Sequence, residues 1–160
     1  MDDVQRQLDE RHFIEDFGLY TEQLGFPRMA GRILGWLLIS DPPHQSAGQL
    51  GEMLGASKGS VSGMTRLLIQ IGLVELVSLP GERRDYYRIS SNAWANSLKE
   101  RLEQAHAFRR LAEEGLALLK GSNPQRLLRL EEMQSLYALL EGELPKLLER
   151  WQSERKGMES

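Results

Sequence analysis

Apolar residues recur at helical spacing along most of the chain and at strand spacing in one short stretch. Between residues 2 and 24, Phe13, Phe17, Tyr20 and Leu24 follow at intervals of four, three and four, which is one helical face. Gly25 closes that helix, and Pro27 suits the first turn of a second, about 27–40. Met29, Ile33, Trp36, Leu37 and Leu38 make this second helix largely buried. Asp41-Pro42-Pro43 stops it, because a residue before proline avoids helical backbone. Ser46 then offers an N-cap, and Gln49 three residues on completes a capping box. The short helix 47–54 carries Leu50, Met53 and Leu54 inward, and Gly55-Ala56 makes a tight turn. Ser57 caps a helix that runs to about Ile71, where Gly72 takes the left-handed terminal position.

The period then changes to two. Residues 73–77 read as a strand, Pro80 to Asp85 as a turn and residues 86–89 as a returning strand. Ser91 or Asn92 caps a long helix to about Lys120, with a stripe from Trp94 through Leu98, Leu102, Phe108 and Leu116. Gly121 to Pro124 breaks the chain. In the last helix, positions 130, 133, 137, 140, 144, 147 and 151 alternate by three and four. Pro145 inside that run predicts a kink or a break, and the polar tail after Trp151 predicts fraying.

Composition narrows the classes. The chain has 160 residues, 41% hydrophobic and 27% charged, an ordinary globular balance. Cysteine is absent, which excludes disulfide frameworks, thiolate metal sites and cysteine nucleophiles. The apolar run from Ile33 to Ile39 is too short to span a bilayer, and the N-terminus opens acidic, so a cytoplasmic protein without membrane contact is expected. The net charge of −3 is unevenly spread. Residues 1–25 carry seven acids against Arg6 and Arg11; residues 26–90 carry seven bases against five acids; residues 91–160 balance at eleven each. The middle segment is the basic one, and a nucleic-acid role is sought there.

A helix, a tight turn, a second helix and a hairpin with a basic tip form the outline of a winged helix-turn-helix. On the second helix Val61, Met64, Leu68 and Ile71 lie on one face, for the core. The opposite face presents Gly59, Ser62, Gly63, Arg66 and Gln70, with Lys58 and Ser60 at the N-terminal end. Small residues let a helix approach base edges and phosphates in the major groove. The helix N-terminus adds free amides and partial positive charge. Arg66 reaches a guanine edge from the second turn, and Arg83 and Arg84 enter the adjacent minor groove or clamp its phosphates. The candidate DNA-binding residues are therefore Ser46, Ser57, Lys58, Gly59, Ser60, Ser62, Gly63, Arg66, Arg83 and Arg84. Each feature has a plain structural reading too. A Gly/Ser face also suits close helix packing, and a pair of arginines in a turn is commonly just solvated.

The run Gln49-Leu-Gly-Glu-Met-Leu-Gly-Ala-Ser57-Lys-Gly-Ser-Val-Ser62 resembles the GbsR branch of the MarR-type winged-helix repressors. So do Phe13 to Phe17, Gly25 through Trp36, Leu67 to Val74, Gly81 to Arg84, and Tyr86-Tyr87. The resemblance covers about residues 10–90, and the C-terminal helices only in kind. It implies a dimeric repressor, sometimes answering to a small-molecule effector. Some members of the branch are linked to choline and glycine-betaine metabolism, but no ligand motif matches here, so no ligand is carried over.

The expected fold class is mainly α with a small β-hairpin. It comprises an N-terminal dimerisation helix at 1–25, a winged helix-turn-helix DNA-binding domain at 26–90 and a C-terminal helical dimerisation region at 91–160. The terminal helices carry more apolar stripe than a domain of this size covers, so an isologous homodimer reading a palindromic double-stranded operator is expected. The rival is a winged-helix adaptor that binds protein without sequence-specific DNA binding, which the acidic first helix would suit. No enzyme, cofactor or metal is expected. His12, His44 and His106 are scattered; Glu15 and Asp16 beside His12 read as surface ion-pair spacing. Gly48, Gly51 and Gly55 lack the Lys-Ser/Thr ending of a phosphate loop, and Gly59–Gly63 lacks the spacing of a nucleophile elbow. Phe13, Phe17, Tyr20, Trp36 and Trp94 suggest a cation cage, but their helical spacing assigns them to ordinary core.

Overall fold

The computed structural model describes residues 2–158. The chain order is α1 (Asp3–Gln23), α2 (Arg28–Ile39), β1 (Gln45–Ser46), α3 (Ala47–Leu54), α4 (Lys58–Gln70), β2 (Val74–Ser78), β3 (Asp85–Ile89), α5 (Ala93–Leu118) and α6 (Pro124–Met158). The architecture is mainly helical, with a three-stranded antiparallel sheet in the order β1-β3-β2. The hairpin read from the sequence is β2–β3. Strand β1 was not anticipated: two residues are too few to show a period, and they become a strand only because Gln45 and Ser46 pair with Tyr87 and Tyr86. The chain divides into two compact units, one through Trp94 and one from Ala95.

Local signals bound the elements of the first unit. Ser46 accepts the Gln49 amide on its hydroxyl while its own amide donates to Gln49 Oε1, the full capping box. Ser57 Oγ accepts the Ser60 amide at 3.2 Å and opens α4. At its other end, Gly72 at φ +77° donates to Ile69 O, and Leu73 donates to Leu68 O, which is a Schellman motif. Ile33, Leu50, Leu54, Val61, Leu68 and Val74 form the centre of the core. Thr65 is buried among them, its hydroxyl donating to Val61 O within its own helix.

Helix α1 rests on α2 through Ile14 and Gly18, with Phe17 beside them. Of its expected aromatic face only Phe17 packs on the core: Phe13, Tyr20 and Leu24 are exposed, as is Trp94. The reason is the glycines of α2. They let α1 approach on the side of Ile14, Phe17 and Gly18, with Phe17 lying against Gly35, which leaves Phe13, Tyr20 and Leu24 facing outward. A β-carbon on Gly31 would overlap Thr21 Oγ1 and stand 3.0 Å from the Gly18 Cα, and Thr21 is already committed to the carbonyls of Phe17 and Gly18. Gly31→Ala is expected to lower stability by about 1–3 kcal/mol through overpacking. A urea midpoint equal to that of the parent would contradict this account of the contact.

In the second unit, Ala105 and Ala112 are buried, Phe108 stacks on Tyr137 at 5.0 Å, and Gly115 lies against Leu130. Glu141 on α6 gathers two partners from α5, His106 and Arg109. It accepts from Arg109 Nε and pairs with His106 Nδ1 at 2.6 Å, while Arg109 also reaches Glu113 at 2.7 Å. The His106–Glu141 pair spans 35 residues, far beyond the three- or four-residue spacing that a helix shows in sequence. The hydrogen bond from Arg109, then that from His106, holds the Glu141 carboxyl below the ordinary glutamate range. A depressed native value means the stabilisation is present above the unfolded pKa of about 4.3 and is lost as pH falls through the native one. Glu141→Gln is therefore expected to lower the unfolding midpoint at neutral pH, with the gap to the parent closing on acidification. A gap that does not depend on pH would assign the loss to packing instead.

Two expectations for α6 are corrected. The helix runs through Pro145 without a break, at an exposed position where the lost hydrogen bond to the carbonyl of residue 141 is open to water. The tail after Trp151 stays helical to Met158, supported by Arg150 paired with Glu154 at 3.2 Å and Arg155 over the Trp151 ring. At the start of α5, Ser90 rather than Ser91 or Asn92 supplies the local bonds, accepting from Asn92 N on its hydroxyl and from Ala93 N on its carbonyl.

Candidate nucleic-acid interface

The turn between α3 and α4 is set by two glycines. Gly55 takes the left-handed conformation at φ +61°, and Gly51 lies so close to Ala56 O that a β-carbon there would stand 3.1 Å away. This tightness fixes α4 across α3. Val61, Thr65 and Leu68 then face the core, and the opposite side of α4 is turned out.

That outer side is bare. Ser57, Lys58, Gly59, Ser62, Arg66 and Gln70 are exposed, and Ser60 and Gly63 are partly so. Apart from its chain neighbours and its own helix backbone, no atom of the described residues lies within 4 Å of a β-carbon built on Gly59 or Gly63. The small residues therefore do not serve helix packing within the chain, which was their plain reading. The amides of Lys58 and Gly59, in the first turn, precede any residue that could accept from them inside the helix. The partial positive charge of the helix N-terminus adds to that of Lys58. Among the described residues, Lys58 and Arg66 enter no ion pair or side-chain hydrogen bond.

The wing tip has a defined turn. Glu82 N donates to Leu79 O at 3.1 Å, with Pro80 in the second position and Gly81 at φ +80° in the third, the type II pattern. Arg83 and Arg84 follow directly and are exposed, also without ion-pair partners. Lower on the hairpin, Arg88 is neutralised by Glu75 across the strands at 2.6 Å. The hairpin arginines left without an ion pair among the described residues are thus those at the tip, flanked in sequence by Glu82 and Asp85.

Ser46 does not join this surface. It is 4% exposed, its hydroxyl is used in the capping box, and its backbone pairs with Tyr86. Sequence reasoning missed Gln45 beside it, whose side chain bonds both Trp36 and Pro42. No sequence signal marks a glutamine as buried. Phe13 and Phe17 have ring centres 5.8 Å apart, but exposed Tyr20 and Trp94 show no ring contact with them, so no cation cage is assembled among the described residues. Those residues also contain no group of three potential metal ligands and no helix long and apolar enough to cross a membrane.

Comparison with known proteins agrees with this outline. The pattern of the MarR family matches residues 24–85, and that of the MmpR5-like MarR family transcriptional regulators matches residues 92–154. The HTH-type transcriptional regulator MmpR5 of Mycobacterium tuberculosis (strain ATCC 25618 / H37Rv) is 40% identical over 157 residues, spanning 98% of this chain and 94% of that protein. The HTH-type transcriptional repressor OpcR of Bacillus subtilis (strain 168) is 30% identical over 83 residues, 52% of this chain and 44% of its own. A crystal structure described as a transcriptional regulator shares 40% identity and superposes with a TM-score of 0.76, covering 91% of this chain and 99% of that one.

Proposed function

The chain belongs to the MarR family of transcriptional regulators, which are not enzymes, and on that footing we propose that it is a homodimeric, cytoplasmic repressor reading a palindromic duplex operator. The observation that carries the reading is the bare outer face of α4, with Gly59 and Gly63 uncovered and Lys58 and Arg66 unpaired. A face so shaped fits the major groove, while Arg83 and Arg84 at the wing tip reach the neighbouring backbone or minor groove. Ser57, Ser60 and Ser62 supply hydrogen bonds to phosphate or bases. Ser46 acts indirectly, by fixing the start of α3. The run Gln49–Ser62 supports a GbsR-type reading half.

Dimerisation is assigned to residues 1–25 and 91–160, and reading to residues 26–90. The support is apolar surface on the terminal helices: Leu8, Leu19 and Tyr20 on α1 and Leu128, Leu136 and Leu139 on α6 are exposed. Apolar surface on each of these helices suits pairing with a second copy, which a two-fold operator would match. Light scattering at micromolar concentration is expected to give twice the chain mass; a monomer would overturn the dimer.

The test of function is selection of bound sequences from random duplexes. A palindromic consensus is expected. Ser62→Ala and Arg66→Ala should then change base preference, Arg66→Ala by about 1–3 kcal/mol at its own base pair. Failure to enrich any sequence, with duplex binding absent, would favour the adaptor reading.

A further inference from the structure

We propose that Gln45 is a positioning residue for the wing: a buried strut that sets where the arginine-bearing hairpin tip stands relative to the helix-turn-helix. The inference rests on the reading in which that tip touches DNA.

Gln45 is 5% exposed, so its amide must be satisfied inside the protein. Both ends are. Trp36 Nε1 donates to Gln45 Oε1 at 3.2 Å, and Gln45 Nε2 donates to Pro42 O at 2.9 Å. An indole N–H can only donate and a proline carbonyl can only accept, so one orientation of the amide fits. The side chain thereby ties β1 to α2 and to the loop after it.

The backbone of the same residue holds the wing. Gln45 stands opposite Tyr87 and Ser46 opposite Tyr86, on the central strand β3 that returns from the tip. Ser46 is at once the last residue of β1 and the N-cap of α3. Three elements therefore meet at two consecutive residues: α2 through Trp36, the wing through β3, and the helix-turn-helix through α3. A two-stranded hairpin is marginal alone. Here one edge hangs from α4 through the Gly72 turn, and β1 fixes the other. An apolar side chain at 45 would fill the same space but would not dictate direction, because a buried hydrogen bond is satisfied in one geometry only.

A merely structural glutamine would change stability and nothing else, so the readout must be DNA binding by the folded protein. The experiment measures the salt dependence of affinity of the full chain for a fluorescently labelled mixed-sequence DNA duplex. It compares the parent, Gln45→Met, Arg83→Ala/Arg84→Ala, and the three changes combined, with circular dichroism confirming that each is folded. Gln45→Met is expected to weaken binding by about 3- to 10-fold and to reduce the salt slope toward that of the double-alanine variant. In the double-alanine background it should add nothing, since the tip it positions is gone. Trp36→Phe removes the donor from the other side and is expected to act in the same direction; it carries the test if Gln45→Met fails to fold. A lower melting temperature with unchanged affinity and slope would overturn the proposal. If Arg83→Ala/Arg84→Ala itself keeps the parent slope, the wing is not on DNA and the underlying reading falls as well. The two failures are thus distinguished.

Discussion

Replacing Lys58, Arg66, Arg83 and Arg84 together by alanine is expected to abolish detectable duplex binding at physiological salt while leaving the fold intact. The four side chains are exposed and none enters an ion pair among the described residues. Their removal forfeits no internal contact, and exposed substitutions of this kind shift stability by only about 0.5 kcal/mol or less each. Their value lies in released counterions. Each phosphate contact adds about 0.9 to the slope of log affinity against log salt. With Lys58, Arg83 and Arg84 set against phosphate and Arg66 against a base edge, three contacts per subunit, doubled in the proposed dimer, make a fall in slope of as much as about 5. Arg83→Ala/Arg84→Ala should reproduce part of that fall on every sequence, whereas Arg66→Ala should depend on sequence. A quadruple variant that binds duplex with the parent slope would remove α4 and the wing from the interface.

Leu50→Ala should have the largest effect on stability, about 2–5 kcal/mol. Leu50 is fully buried on α3 within the cluster that also holds Ile33, Leu54, Val61 and Leu68. Truncation removes apolar contact and leaves a cavity that the packed helices and strands of the cluster close only in part. Against a total stability of about 5–15 kcal/mol for a typical domain, this loss is severe. Because α3 and α4 both rest on this cluster, DNA binding should disappear with the fold on warming. Chemical denaturation of the parent and the variant measures the difference; a change under about 1 kcal/mol would mean that the core around Leu50 is looser than its burial states.

The element order was legible in the sequence wherever a rule acts over a few residues. The Ser46–Gln49 box, the Ser57 cap, the Gly72 terminator and the Pro80-Gly81 turn each depend on atoms no more than five residues apart. The outer face of α4 was legible for the same reason: opposite faces of a helix are fixed once its core face is known. The sequence could not say whether the glycines on that face were covered by another helix. Nothing local decides that; the empty space beside Gly59 and Gly63 does.

Other features were illegible because their partners lie far along the chain. Strand β1 exists through pairing with residues about forty positions later. Glu141 draws in His106 and Arg109 from another helix. The aromatics of α1 followed a helical period, and period alone does not distinguish a face buried in the chain from one left outside it.

The sequence by itself determined the helices, their stops, the hairpin and the residue types offered at the candidate surface, since these follow from backbone propensity and spacing. Only the tertiary structure decided which of the offered residues stand free. Ser46 was withdrawn into a cap, Arg88 was neutralised by Glu75, and Lys58, Arg66, Arg83 and Arg84 remained unpaired. The physical reason is that burial and pairing belong to two residues at once, and the second is chosen by how the chain folds.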